Sequence, residues 1–518
     1  MNRAKNILKL KSEKETVWDI VIIGGGASGL GAAVDAASRG YATLLIEKND
    51  FAKGTSSRST KLVHGGVRYL QNGDISLVIE ALKERGIMRK NAPHLVNDMS
   101  FVIPSYDWWN SPFYGLGLKV YDMMAGKLGL GPSTLLNRDE TIEYIPNVNT
   151  DGLKGGVIYH DGQFDDARMA ISLALTATDQ GAILLNYCEL IQLKKEGEMI
   201  NGIRFKDHLN GEIIDIKSKV IVNATGVFSD AIIKMDYPNT KDMIRPSQGV
   251  HIVLEKVFLK SSHAIMVPFT SDGRVLFAVP WHNYVVVGTT DTPIKEPLEE
   301  PIALEEEIEF ILSNAGKYMT KKPKRKDIKS IFVGLRPLAA SDDNSESTKE
   351  VSRHHKIRVS TSGLVSVLGG KWTTYRKIAE DAINTALVVG GLPERKSETE
   401  TLQIFGYEYH SDWKNPMHVY GTEASKIIAL SPETAYQSLS DKFFITKNII
   451  IWGIEQEMAT NLEDILARRT RCLFLNAEES VKIAPKVAEI MAEALGKNKK
   501  WQHEAIEKYQ LIANNYKI

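Results

Sequence analysis

The chain has 518 residues, too many for one ordinary core, so two or three domains are expected. Lys plus Arg and Asp plus Glu both number 64, which excludes a global field that selects nucleic acid and makes any anion binding local. With 43% apolar and 25% charged residues the chain reads as ordered and globular, and its two distant cysteines, Cys188 and Cys472, exclude a disulfide framework and point to a reducing compartment. No metal-ligand spacing is found, so no metal is expected. The opening "MNRAKNILKLKSEKETVWD" has no apolar segment of signal-peptide length, and no run reaches ~18 apolar residues. The expected location is cytoplasmic, at most lying on a membrane.

The first organised segment is "WDIVIIGGGASGLGAAVDAASRGYATLLIEK". A short buried-strand run leads to Gly24, Gly26 and Gly29 at G-x-G-x-x-G spacing, then a small-residue helix and a second strand ending at Glu47. Gly24 permits the tight turn, Gly26 lets the backbone approach a pyrophosphate, and Gly29 lets helix and strand pack closely. Glu47 stands where an acid accepts from a ribose hydroxyl. This predicts a dinucleotide site and leaves NAD and FAD both open.

Next come "GTSSRSTK" (54–61) and "HGGVRY" (64–69), then "YDWWNSPFYGLGLKVYDMMAGKLGLGP" (106–132), mostly substrate-domain core with a membrane-facing plateau as the alternative. "SKVIVNATGVFSDAI" (218–232) reads as a strand, a tight turn at Gly226 and a helix. "VLFAVPW" (275–281) and "YVVVGTTD" (284–291) read as a meander. "KKPKRK" (321–326) reads as a solvated turn opposite "EEE" (305–307). "LVSVLGGKWTTYRKIAEDAINTAL" (364–387) is a strand, a Gly-Gly turn and a long helix, a second helix N-terminus facing the nucleotide. From about residue 400 the pattern is helical, and "ARRTR" (467–471) reads as a structural ion-pair site.

Seven motifs in this order, "DIVIIGGGASGLGAA", "GTSSRSTKLVHGGVRYL", "VNATG", "VVGTTD", "GLRPL", "LGGKWTTYRK" and "LEDILARRTRCLFL", resemble the aerobic, respiratory FAD-dependent glycerol-3-phosphate dehydrogenases over roughly residues 18 to 480. The resemblance implies an α/β (α+β) architecture. A glutathione-reductase-like FAD-binding Rossmann domain (18–395) is interleaved with an antiparallel-sheet substrate domain (roughly 90–160 and 240–350), and a helical domain follows (400–518). It implies FAD as cofactor and oxidation of sn-glycerol 3-phosphate to dihydroxyacetone phosphate. It further implies electron transfer to a membrane quinone and peripheral contact with the inner face of the cytoplasmic membrane; a homodimer is compatible with it. An oxygen-using FAD oxidase of glycerol 3-phosphate or of an amino acid is the alternative, and a non-catalytic flavoprotein the third class.

Because FAD is long, the segment after the second strand has to run along it toward the flavin ring. Thr55, Ser56, Ser57 and Lys61 would serve the pyrophosphate and ribityl chain, and Gly65, Gly370 and Thr373 would lie near the ring. By resemblance, His64 matches the histidine proposed as catalytic base, His251 is the competing histidine, and Arg68 and Tyr69 match substrate-contacting positions. A neutral imidazole suits removal of a hydroxyl proton, whereas arginine stays charged. Arg336 is therefore read as stabilising an alkoxide or gripping phosphate, and Lys371 as reaching the flavin edge or the substrate.

Overall fold

The computed structural model describes residues 1–12, 15–66, 74–107, 110–268, 270–271, 273–340 and 355–518. Two sheets share the chain. The first is built on Val17–Ile23, which pairs in parallel with Thr43–Ile46 on one side and Ile213–Asn223 on the other. Ile183–Leu185 extends it beyond Thr43–Ile46, and Leu364–Leu368 extends it beyond Ile213–Asn223. Both faces are covered, which is why these strands read as unbroken apolar runs and not as alternating ones. The small-residue helix Ala27–Ser38 covers one face together with Asp166–Asp179 and Tyr375–Val389.

The second sheet is largely antiparallel. Its long strands are Val96–Ser105, Gly155–Phe164, Ile244–Glu255 and Ile328–Ala339, with the expected meander Leu276–Trp281 and Tyr284–Gly288 between them. Strands of the first sheet come from residues 17–46, 183–223 and 356–368, those of the second from 62–63, 96–164 and 244–339. The two are interleaved, as the motifs imply.

The C-terminal helices include Lys447–Glu457, Ala477–Leu495 and Lys499–Asn514. Ala477–Leu495 starts on an Asn476 cap that accepts from the Glu479 N–H, with Glu478 and Glu479 in its first turn. Its buried Ile483, Ala484, Val487, Ala488 and Met491 follow the 3.6-residue period and pack in one core with Phe332, Trp281 and Tyr284 of the second sheet. Residues between 404 and 458 behave differently: Ile404, Met417, Tyr420, Ile449 and Trp452 join the core of the nucleotide-domain sheet.

The basic run 467–471 is a buried ion-pair site. A π-helical turn, Asp464–Arg469, aims two consecutive arginines at one acid of the nucleotide domain. Arg468 Nε and Arg469 Nη1 each donate to Asp50 Oδ2 at 2.6 Å, and Arg469 Nη2 donates to Oδ1 at 3.0 Å. Arg468 also meets Glu463 and Asp464, and Arg471 meets Asp165. On the surface Arg325 pairs with Glu305, as expected for a solvated turn. Glu307 is turned inward instead, accepting from Gln248, Thr290 and Thr292.

Candidate active site

The G-x-G-x-x-G turn is fixed by backbone contacts. Gly24 has φ +110°, and a Cβ there would lie 2.6 Å from the Ala224 carbonyl oxygen. A Cβ on Gly29 would lie 1.9 Å from the Gly24 oxygen, so only glycine allows helix and strand this close. Gly26 has no such constraint: a Cβ there meets only Ser56 Oγ, at 3.1 Å, beside a cavity of about 390 Å³. The cavity wall includes Gly24, Gly26, Ala27, Glu47, Thr55, Ser56, Gly226, Gly370 and Lys371.

Glu47 accepts from Gly25 N at 2.6 Å and from Asn49 N at 2.8 Å, one bond per oxygen. Each oxygen keeps a lone pair for a ribose hydroxyl. Burial raises its carboxyl pKa against the opposing effect of those two N–H groups. An open glycine approach, a helix N-terminus and a ribose acceptor on one wall fit a dinucleotide.

A second cavity, about 200 Å³, is lined by Thr60, His64, Gly66, Asp161, Arg274, Thr289, Thr290, Asp291 and Arg336, with Leu62, Phe101, Tyr159, Met266 and Phe277 as apolar wall. Two segments connect it to the first. Thr55, Ser56 and Arg58 face the larger cavity, whereas Thr60, Leu62, His64 and Gly66 face the smaller one at every second residue. Strand Ile328–Ala339 is a partition, with Leu335 and Pro337 on the larger cavity and Arg336 on the smaller.

Arg336 is held from several sides. Its Nη1 donates to Asp291 Oδ1 at 3.1 Å and Gln248 O at 3.3 Å, and Nη2 to Thr290 O at 2.9 Å and Thr289 Oγ1 at 3.2 Å. Asp161 sits in a comparable frame, accepting from Arg85 at 2.7 Å and from the Tyr121 hydroxyl at 2.8 Å. His64 N donates to Thr373 Oγ1 at 3.3 Å, which ties the histidine segment to the late Gly-Gly turn.

Several side chains stand elsewhere than the sequence suggests. Lys61 does not reach the cofactor cavity: its ammonium is fully buried, donating to Asp166 at 2.7 and 2.8 Å and to Ser57 O at 2.6 Å. It lies against the rings of Trp281, Phe332 and Phe474. Ser57 is buried behind the wall, and Gly65 is backed by Leu82 and Tyr121, leaving Gly66 to reach the cavity. His251 is only 3% exposed and does not line the smaller cavity. Lys371 lines the larger cavity, in keeping with its flavin-edge reading, and does not line the smaller one with Arg336. Arg68 and Tyr69 lie outside the described residues.

Sequence reasoning missed Thr60, Asp161, Arg274 and Asp291. Counting back by twos from His64 would have found Thr60. Arg274 precedes a strand in a connection with no periodicity, and nothing in its spacing marks it.

Residues 19–376 match the family model described as FAD dependent oxidoreductase, and residues 366–502 that of the C-terminal domain of alpha-glycerophosphate oxidase. The mitochondrial glycerol-3-phosphate dehydrogenase of Bos taurus is 38% identical over 98% of this chain and 74% of its own length. That of Homo sapiens is 37% identical over 100% and 76%. The solved glycerol-3-phosphate dehydrogenase of Bacillus halodurans, complexed with FAD, superposes with a TM-score of 0.81 at 27% identity, covering 100% of this chain and 98% of that one. The cofactor cradle and the relatives matched along nearly the whole chain agree on one conclusion: the chain belongs to the FAD-dependent glycerol-3-phosphate dehydrogenases.

Proposed function

We propose that the protein oxidises sn-glycerol 3-phosphate to dihydroxyacetone phosphate and passes the electrons to a membrane quinone. The observation that carries this reading is the smaller cavity, where His64 and two arginines, Arg274 and Arg336, line one wall system that adjoins the cofactor cavity. Oxidation of a secondary alcohol removes a hydride from carbon and a proton from oxygen. FAD, when bound, supplies the hydride acceptor. The chain supplies the rest: His64 takes the hydroxyl proton, and the Arg336 guanidinium, fixed by Asp291, the Thr289 hydroxyl and the Gln248 and Thr290 carbonyls, places its positive charge beside substrate oxygen. Arg274 brings a second guanidinium to the phosphate end. His251, set behind the wall, is not the base.

Anaerobic addition of glycerol 3-phosphate to the FAD-loaded enzyme should bleach the flavin absorption band. Reoxidation should be fast with quinone analogues and yield little hydrogen peroxide. Stoichiometric peroxide at the quinone rate would assign an oxidase, and an unbleached flavin would remove the substrate. Among the described residues no helix is long and apolar enough to cross a membrane. This reading has the quinone met at a surface. Two touching helices, Ile75–Asn91 and Asn110–Ala125, carry Ile75, Ile79, Val120 and Met123 exposed, Met123 at 80%. This supports contact with the lipid interface there.

Arg336→Ala should lower kcat/KM for glycerol 3-phosphate by about ten- to a hundred-fold, the equivalent of losing one fixed positive charge beside a charged substrate group. Arg336→Lys should be nearly as harmful, because a three-donor ammonium cannot keep the four bonds that fix the guanidinium. Steady-state kinetics with glycerol as comparison checks this: an unchanged ratio between the two substrates would mean that Arg336 does not read phosphate.

A further inference from the structure

Segment 54–66 brings one hydroxyl to the smaller cavity that the reaction as described leaves unused. Thr60 Oγ1 lies 2.9 Å from His251 Nε2. The imidazole is stacked on Phe332, centroids 4.8 Å apart at 14°. Gly288 backs it so closely that a Cβ there would lie 2.4 Å from the ring. The ring is therefore fixed in place, and among the described residues no group bonds its buried Nδ1. Burial, with Lys61 and Arg336 nearby, pushes its pKa well below the usual histidine range, so the ring is neutral.

A neutral imidazole carries one N–H. On Nδ1 that donor would be buried without an acceptor, an arrangement rarer in proteins than a bare acceptor. On Nε2 it donates to Thr60 Oγ1, and the threonine proton is turned away from the ring. Thr60, unlike His251, lines the cavity. The Arg336 guanidinium is next to it: Gly288 packs on His251, and the following Thr289 and Thr290 hold Arg336.

We propose that Thr60 is a specificity-determining residue whose hydroxyl donates to the anionic substrate oxygen beside Arg336, with His251 as the positioning residue that orients that hydroxyl. Given Arg336 as the phosphate-reading group, an inference that rests on the substrate proposed above, Thr60 contacts the same phosphate. His251 then influences the reaction without touching the substrate.

The test uses FAD-loaded full-length enzyme. Thr60→Val should raise KM for glycerol 3-phosphate about ten- to a hundred-fold with a much smaller change in kcat, the range expected for one hydrogen bond to a charged group. The glycerol 3-phosphate to glycerol ratio of kcat/KM should fall about tenfold or more. Thr60→Ser should restore both. His251→Phe should reproduce the KM rise, and the double variant should be no worse than either single one, because both remove the same bond. If valine costs flavin content, Thr60→Ala is measured in its place. A wild-type KM in the valine or alanine variant, an unchanged substrate ratio, or failure of serine to rescue overturns the inference alone. Wild-type flavin that glycerol 3-phosphate does not bleach overturns the proposed function, and this inference with it.

Discussion

A Gly26→Leu variant is expected to fold and to purify without FAD, whereas Gly29→Ala should lose both FAD and stability. The difference lies in what the added atoms meet. At Gly26 a Cβ finds only Ser56 Oγ, and a longer side chain continues into the space over the start of helix Ala27–Ser38. That space is where a pyrophosphate takes the helix N-terminus, so the ligand is displaced and the fold is not. At Gly29 the obstacle is the Gly24 carbonyl, 1.9 Å from the new Cβ, and backbone cannot swing aside as a side chain can. Helix and strand have to separate, with the cost of an overpacked core, roughly 1–3 kcal/mol or more. Flavin-to-protein absorbance and urea unfolding followed by circular dichroism separate the two outcomes. Stoichiometric flavin in Gly26→Leu would show that the cradle is not where the cofactor binds.

Replacing Asp50 by alanine should destabilise the protein by about 3–5 kcal/mol, the range for breaking a buried charge pair from one side. Arg468 and Arg469 are both buried; without Asp50, Arg469 loses its main counter-charge and Arg468 one of its three. Burial alone would raise the Asp50 carboxyl, but the Arg469 and Arg468 guanidiniums outweigh it and hold its pKa at about 2, below the ordinary 3.8. Glu463, buried between Arg468 and Lys53, is likewise held at about 2, below 4.5. A carboxyl whose folded pKa is depressed contributes stability that is complete above its unfolded pKa and is lost as pH falls through the folded one. Wild type should therefore lose stability between about pH 4.5 and pH 2, and Asp50→Ala should show a shallower decline across the same interval. Urea midpoints measured along that pH series check both statements; parallel curves would mean that Asp50 does not carry the linkage.

The glycine turn with its two flanking strands and the late Gly-Gly turn were legible, because each depends on residues close in sequence, and three arginines in an apolar helical stretch marked 467–471 as an ion-pair site although its partner Asp50 lies 418 residues away. Lys61 was not. A lysine after a run of hydroxyls reads as a phosphate ligand, but its partner Asp166 is 105 residues away and turns the ammonium inward. His251 shows a second limit. Strand Ile244–Glu255 is buried along most of its length on both faces, so no polar–apolar alternation indicates which side its histidine takes. The helical pattern after residue 400 suggested one separate unit, yet residues 404–458 supply apolar side chains to the nucleotide domain. Helical periodicity shows that a face is buried without showing against what.

The Asp50 pairing also sets an order of events during synthesis. Arg468 and Arg469 leave the ribosome 418 and 419 residues after the aspartate they neutralise. At ~5–20 residues per second that interval is about 20–80 s. Strand Leu364–Leu368, the parallel neighbour of Ile213–Asn223, is also made late. Throughout that time the glycine turn exists beside an acid with no guanidinium, and until residue 368 is made the sheet lacks Leu364–Leu368 on its side beyond Ile213–Asn223. The growing chain therefore carries a nucleotide domain whose buried Asp50 is neutralised only once its last arginines are made.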